Sequence, residues 1–336
     1  MKIFGAAGSM KSTLNCIDTE KIYLKAFKSC MGFKTFPLSD GGDGFLLTMK
    51  RIFPELKEKK IKTLSCDGRI IHAKVLCGKD VAFIESALVC GVMKKHIPIT
   101  DRSSEGVGIL IKELYDKKRR VVLGIGGTLT CDIGYGMLKG LGMDCEAYIG
   151  TSVLKDLRNR KPYPLLCGVA DVESFLEGEY GAVMYLKQKK ATYSQIKRMK
   201  DYLNETSKKL KSERMKHSGA GGGLGLAVIL AGGRVMGNFD FLNSVINLRR
   251  EIKAADAIIV NEGSFDKQSM SGKLTGRIAQ EALKDGKRVA ILAGNFEIKP
   301  RKTLCIKVNM PVKKDKRNYR NEFLKSSIRT KELLYG

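Results

Sequence analysis

The chain has 336 residues, 43 % of them hydrophobic, and a formal charge of +26. The length suits two domains, and the apolar fraction supports a sizeable core. No apolar run approaches the ~18 residues of a membrane span, and nine cysteines without a CxxC pair or zinc-ligand spacing exclude a zinc module. The opening MKIFGAAGSMKST lacks the apolar stretch of a secretory signal, so reduced thiols in a cytoplasmic protein are expected. The lysines spread along the chain, in clusters at 57–60, 117–120, 187–190 and 313–317, without interleaved aromatics or a helix-turn-helix pattern. They read as solvated faces, and nucleic acid is not expected as a partner. A field of that sign favours an anionic substrate.

Residues 2–6 read as a first strand and 14–28 as an amphipathic helix. Between them, GAAGSMKST nearly matches the P-loop pattern GxxxxGK[ST] from Gly5, with Lys11 and Ser12 in place. Met10 stands where a second glycine must let backbone wrap around phosphate, which argues against a P-loop. Residues 34–38 form a second strand, leading through Ser39-Asp40-Gly41-Gly42-Asp43-Gly44 into a helix over 45–53. Two carboxylates in that loop read as a solvated turn or as the wall of a site, and the wall is preferred.

Residues 60–65, 70–76 and 81–85 are short strands punctuated by Asp67-Gly68 and Gly78-Lys79-Asp80. They predict an antiparallel meander, read here as the start of a second domain inserted into the first. A helix over 106–114 feeds the stretch VVLGIGGTLTCDIGYGMLKGLG at 121–142, around which the chain is organised. Its apolar, β-branched run 121–125 suits a buried parallel strand. Gly126 and Gly127 end the strand, Thr128 and Thr130 offer hydroxyls, Asp132 offers a carboxylate, and a helix follows over 135–141. Ligands bind beyond the carboxyl ends of strands in open α/β sheets, and a glycine-rich turn there offers N–H groups to phosphate. A tight turn without a ligand is the equal alternative.

Residues 165–169 are another strand, ending on Ala170-Asp171-Val172, and 193–217 read as a long polar helix. Gly219-Ala220-Gly221-Gly222-Gly223-Leu224-Gly225 opens an apolar helix over 226–230. That run is either an anion cradle or a close approach to neighbouring backbone. A strand over 257–260 precedes Asn261-Glu262-Gly263-Ser264-Phe265-Asp266, and Gly272-Lys273 precedes a helix. A strand over 289–293 stops at Gly294, and 311–336 read as a peripheral helix or a loose tail.

Six of these stretches, in order along residues 1–294, resemble the motifs of the class I glycerate kinase family, which phosphorylates D-glycerate with ATP. AAGSMKST is similar to APDSFKGS, PLSDGGDG to PLADGGEG, and GGTLTCDIGYGM to GGSATNDGGAGM. Ala170-Asp171-Val172 with Gln188-Lys189 resembles the DVxNPL and QKGA segments. GAGGGLG resembles GAAGGLG, and NEGSFDKQSMSGK resembles GEGRxDxQTxxGK. Elements and resemblance together imply two α/β domains with an interdomain cleft. One is a Rossmann-like parallel-sheet domain of residues 1–57, 91–133 and 219–336. The other is an inserted mixed α/β domain of 58–90 and 134–218.

The resemblance implies a kinase that uses ATP and Mg²⁺, forms 2-phosphoglycerate in preference to 3-phosphoglycerate, and works as a cytoplasmic monomer or homodimer. Such transfer needs positioning and charge neutralisation, a Mg²⁺ held by one or two carboxylates, and an acid beside the substrate hydroxyl. Ser9, Lys11, Asp40, Gly41 and Gly42 are then expected on the glycerate side. Gly126, Gly127, Thr128, Thr130, Gly221, Gly222, Gly223 and Lys273 are expected around ATP, with Lys189 as a further neutraliser of phosphate. Asp132 and Asp266 are the expected metal ligands, and Lys11, Asp40, Asp171 and Glu262 the catalytic candidates. Departures from the family pattern are Gly8 for an acid, Cys131 for Asn, Ser174-Phe175 for Asn-Pro, Lys190 for Gly and Ser264 for Arg. They motivate an alternative: a weakly active or non-catalytic relative that binds nucleotide or a small anionic ligand.

Overall fold

The computed structural model describes residues 1–10, 13–39, 41–115, 119–143, 163–179, 181–270, 272–309 and 315–335, with backbone alone at Gln268. Lys11 and Asp40, expected on the glycerate side, lie outside the described residues. No helix of the described residues is long and apolar enough to cross a membrane. The eight described cysteines are free thiols.

One sheet contains β1 (Ile3–Ala7), β2 (Phe33–Pro37), β9 (Ala257–Phe265), β10 (Arg288–Phe296) and β11 (Thr303–Lys307). Its order is β11-β10-β9-β1-β2, and every pairing is parallel. β1 is buried along its whole length, as a parallel strand covered on both faces must be. α1 (Cys16–Ala26) starts at Asn15, whose side chain accepts from the Asp18 N–H. The C-terminal residues are a docked helix, Lys316–Tyr335, and not a loose tail. Its buried residues Tyr319, Phe323, Ser327, Thr330 and Leu334 recur at helical spacing. Two of those five, Ser327 and Thr330, are small and polar, so the stripe is faint in sequence. Phe323 meets Tyr23 of α1 at 5.5 Å between ring centroids, and Asp18 takes Lys316 at 3.1 Å and Arg320 at 2.5 Å.

The other sheet contains β3 (Lys57–Leu64), β4 (Ile70–Cys77), β5 (Val81–Glu85), β6 (Arg120–Ile125), β7 (Leu166–Ala170) and β8 (Arg234–Gly237), in that order. β3, β4 and β5 form the expected antiparallel meander, and β5 to β8 run parallel. Compact units divide the chain into Met1–Asp40 with Phe239–Gly336, and Gly41–Asn238. This division departs from the boundaries expected above. The meander is not a separate insert: β5 pairs with β6 from Val81↔Arg120 to Glu85↔Gly124. β5 is buried from Ala82 to Glu85, so it takes a partner on both edges. Local alternation cannot say which strand that partner is.

Two strand ends also move. Asn261 to Phe265 continue β9 and do not loop out, and β10 runs through Gly294, because the two strands pair as far as Phe265↔Phe296. The polar helix ends earlier than expected, at Lys209, and starts on a capping box of Thr192 and Gln195.

Candidate functional site

Within Gly41–Asn238 the glycine loops gather at the carboxyl ends of β5, β6 and β7. Glu85 ends β5, and its carboxylate accepts from the N–H groups of Gly44 (3.2 Å) and Leu46 (3.0 Å). It thereby caps α2 (Phe45–Ile52), whose own N-cap Gly44 has φ 87° and no side chain to offer. A Cβ on Gly41 would stand 2.6 Å from the Val169 carbonyl oxygen, and one on Gly126 would stand 2.7 Å from Gly42 Cα. Gly41, Gly42 and Gly126 therefore let three backbones touch. Asp171 joins them, its Oδ2 3.3 Å from the same Gly126 Cβ position.

The loop after β6 is held from below. Lys189 is buried, and its Nζ donates to Thr128 Oγ1 (3.0 Å) and to the Thr130 carbonyl (2.5 Å). Thr128 in turn donates to the Gly221 carbonyl at 3.0 Å. Burial pushes the Lys189 ammonium below the usual lysine range, with the negative charges of Asp171 and Asp132 opposing. Thr130 is fully buried, so its hydroxyl is not presented to ATP as expected. Cys131 is buried too, its thiol pushed up to about 11 by burial, which makes it a packing residue.

Gly221, Gly222 and Gly223 have φ of 63°, 76° and 103°. A Cβ would lie 2.2 Å from the Thr130 carbonyl oxygen at Gly222, and 2.2 Å from Ile133 Cα at Gly223. The N–H groups of Gly222 and Gly223 donate to the carbonyls of Gly219 and Ala220. The expected anion cradle is thus replaced at these two amides by close backbone packing.

Asp132, expected on the metal, is committed elsewhere. Its Oδ2 accepts from Ser104 N–H (2.7 Å), Ser104 Oγ (2.8 Å) and Gly136 N–H (3.1 Å), and its Oδ1 from Gly134 N–H (3.2 Å). Four donors use the acceptor capacity of a carboxylate. Asp132 ties the start of the helix Glu105–Tyr115 to that of the helix Tyr135–Gly140. Burial raises its pKa, with those hydrogen bonds opposing.

In the unit of Met1–Asp40 and Phe239–Gly336, β9 carries Glu262, Lys273 opens the helix Leu274–Lys284, and Asp266 opens the short helix Lys267–Met270. Lys273 Nζ lies 2.7 Å from Glu262 Oε1 and 3.8 Å from Asp266 Oδ1. Asp266 also accepts from Ser269 N–H (2.8 Å) and Ser269 Oγ (3.1 Å). Glu262 Oε2 is buried without a hydrogen-bond partner, and burial raises the Glu262 carboxyl above its usual range although Lys273 opposes. Lys273 is therefore an ion-pair partner of the two acids. Among the described residues no group of three or more His, Cys, Asp or Glu side chains is arranged to hold a metal ion. Mg²⁺ commonly takes one or two carboxylates with phosphate and water, a demand that Asp266 fits and Asp132, taken by four donors, does not.

Met10 is fully buried and bridges Leu14 in both directions, so its side chain packs into the core. Ser9 is half-buried beside it. Gly8 is clamped by Asn261, which donates to the Gly8 carbonyl (2.9 Å) and accepts from its N–H (3.0 Å). Lys190, where the resembled motif has glycine, holds a left-handed φ of 63°.

Reading the sequence missed Asn261, Arg102, Ser104 and Glu85. Glu85 had a signal, a carboxylate at the end of a strand just before a turn. The other three had none, because the groups they tie down, the Gly8 loop, the Leu129 carbonyl and Asp132, lie 253, 27 and 28 residues away.

A model of the glycerate kinase family matches residues 4–308. A glycerate kinase of Halalkalibacterium halodurans is 28 % identical over 325 residues, covering 87 % of this chain and 84 % of the relative. A glycerate 2-kinase of Escherichia coli is 26 % identical over 327 residues, covering 88 % and 86 %. A solved protein of Salmonella typhimurium LT2, provisionally assigned as glycerate kinase 2, has a TM-score of 0.73 and 23 % identity over 100 % of this chain and 98 % of that one, a likeness of fold. With the family match running from β1 to the end of β11, the chain belongs to the glycerate kinase family and is a kinase.

Proposed function

We propose that the chain transfers the γ-phosphoryl group of ATP to D-glycerate and forms 2-phosphoglycerate in preference to 3-phosphoglycerate. The observation that carries this reading is Glu262: a carboxyl raised by burial, with one oxygen on Lys273 and the other without a partner. Such a group suits the acceptor of a hydroxyl proton. Lys273 holds it in place and offers positive charge to the transferring group. Asp266 would hold Mg²⁺, which neutralises phosphate charge when bound. Ser9, Lys11 and Asp40 remain the proposed glycerate ligands. Gly126, Gly127, Thr128 and Asp171, above buried Lys189, are the proposed nucleotide side. A cytoplasmic monomer or homodimer remains the proposed state.

The test is the rate of ADP release with D-glycerate, ATP and Mg²⁺, with product passed to enolase. Enolase dehydrates 2-phosphoglycerate directly, so a signal without added mutase supports the assigned position. ADP release that yields an enolase signal only with mutase overturns it. A second reading, a weakly active relative, is favoured by Gly8, where a Cβ would stand 2.9 Å from the Asn261 carbonyl oxygen and no acid is offered. A melting temperature unmoved by ATP with Mg²⁺ would turn the choice towards loss of nucleotide binding.

A further inference from the structure

Among the described residues, two Lys or Arg side chains are buried, Arg102 and Lys189, and both lie under the loop that follows β6. The chain carries 61 such residues, so the coincidence calls for a physical reason. Arg102 Nη1 donates to the Lys189 carbonyl (2.7 Å) and the Leu129 carbonyl (3.0 Å). Its Nε and Nη2 donate to the Ile97 carbonyl at 3.2 and 3.1 Å. Lys189 Nζ reaches Thr128 Oγ1 and the Thr130 carbonyl. Every acceptor in these six bonds is neutral. A Cβ on Gly222 would stand 3.0 Å from Lys189 Nζ, so the glycine turn is shaped around the ammonium.

Burying a cation on neutral acceptors costs more than burying an apolar side chain of the same size. Two such cations joined through one main-chain carbonyl leave positive potential at the surface above them. Both side chains reach the loop of residues 128–130, which meets solvent at exposed Gly127 and at half-buried Leu129, between buried Thr128 and Thr130. Asp171 and Asp132 already oppose the charge on Lys189, and an anion seated there would add the counter-charge that no carboxylate among the described residues gives Arg102.

We propose that Arg102 and Lys189 form a buried cationic support that shapes residues 128–130 and makes them a seat for the phosphoryl groups of a nucleotide. Arg102 is a positioning residue, acting through the Lys189 and Leu129 carbonyls. The inference rests on the nucleotide side proposed above.

The experiment measures ADP binding by titration calorimetry, and KM for ATP and for D-glycerate, in wild type, Lys189→Met, Arg102→Met and Arg102→Lys. The expected result is ADP affinity and KM for ATP worsened about tenfold or more in both Met variants, with KM for D-glycerate unchanged. Arg102→Lys, which keeps the charge and loses the fork, should fall between them and wild type. A purely structural role would lower kcat with the folded fraction and leave both KM values alone; that outcome overturns the proposal. So does unchanged ADP affinity in Lys189→Met, which decides alone if Arg102→Met does not fold. Wild type that fails to bind ADP defeats the nucleotide reading first, and pyrophosphate is then the probe. Pyrophosphate binding lost in Lys189→Met keeps the cationic seat, and no binding overturns it.

Discussion

Replacing Asn261 by alanine removes three hydrogen bonds that join β9, the Gly8 loop and α1. Asn261 Oδ1 accepts from the Gly8 N–H (3.0 Å) and the Tyr23 hydroxyl (3.1 Å), and Nδ2 donates to the Gly8 carbonyl (2.9 Å). Asn261 is 1 % exposed and Tyr23 0 %. The stranded Tyr23 hydroxyl then costs about 1–3 kcal/mol, and the half-solvated Gly8 groups about 1 kcal/mol each, for a total of about 3–5 kcal/mol. The chain has no tryptophan, so urea unfolding is followed by far-ultraviolet circular dichroism, with amide exchange at Gly8 as the local readout. Tyr23→Phe removes one bond and should cost about 1 kcal/mol in wild type, but once Asn261 is alanine it removes the stranded hydroxyl and should recover about 1–3 kcal/mol. An Asn261→Ala cost below about 1 kcal/mol, or an undiminished Tyr23→Phe cost in that background, refutes the reasoning.

Four further outcomes follow from single positions. Gly8→Asp should lower stability by about 1–3 kcal/mol, as should Gly8→Ala, because either Cβ presses on the Asn261 carbonyl; a kcat gain in Asp alone would show that the missing acid matters. Gly222→Ala, with φ 76° and 2.2 Å to the Thr130 carbonyl oxygen, should cost more than about 4 kcal/mol and show as lost soluble protein or a collapsed melting temperature. Lys190→Gly relieves a left-handed backbone and should gain about 0.5–1 kcal/mol, read as a higher urea midpoint. Glu262→Gln should cut kcat by about 10²–10⁴-fold without lowering the melting temperature. Because burial raises the Glu262 carboxyl, it stays protonated to higher pH than an ordinary glutamate, so wild-type kcat should fall on acidification while still above the usual glutamate range. A wild-type profile flat through that region removes Glu262 as the base.

Much of the architecture is written locally. Continuous apolar runs mark β1, β6 and β7, alternation with Asp67-Gly68 marks the meander, and paired glycines mark the loops after β6 and before the helix Leu224–Leu230. These signals survive because side-chain periodicity and turn chemistry act over a few residues. The motif order that resembles the glycerate kinases is equally a property of the linear chain, and the family match over residues 4–308 bears it out.

Tertiary structure decided what each polar group does. Asp132 sits at a strand end as a metal ligand would, yet Ser104, 28 positions earlier, takes its Oδ2. Gly222 belongs to a run that suits an anion, yet its need for glycine comes from the Thr130 carbonyl and the Lys189 ammonium. β5 joins β6 and not the first sheet, and Asn261 clamps Gly8 across 253 positions. Residue type and spacing by themselves determined the strands, helices, glycine turns and family of this protein. Strand partners, committed carboxylates and the two buried cations came only with the packed chain, because a charge or a carbonyl takes its role from whatever folding brings within 3 Å of it.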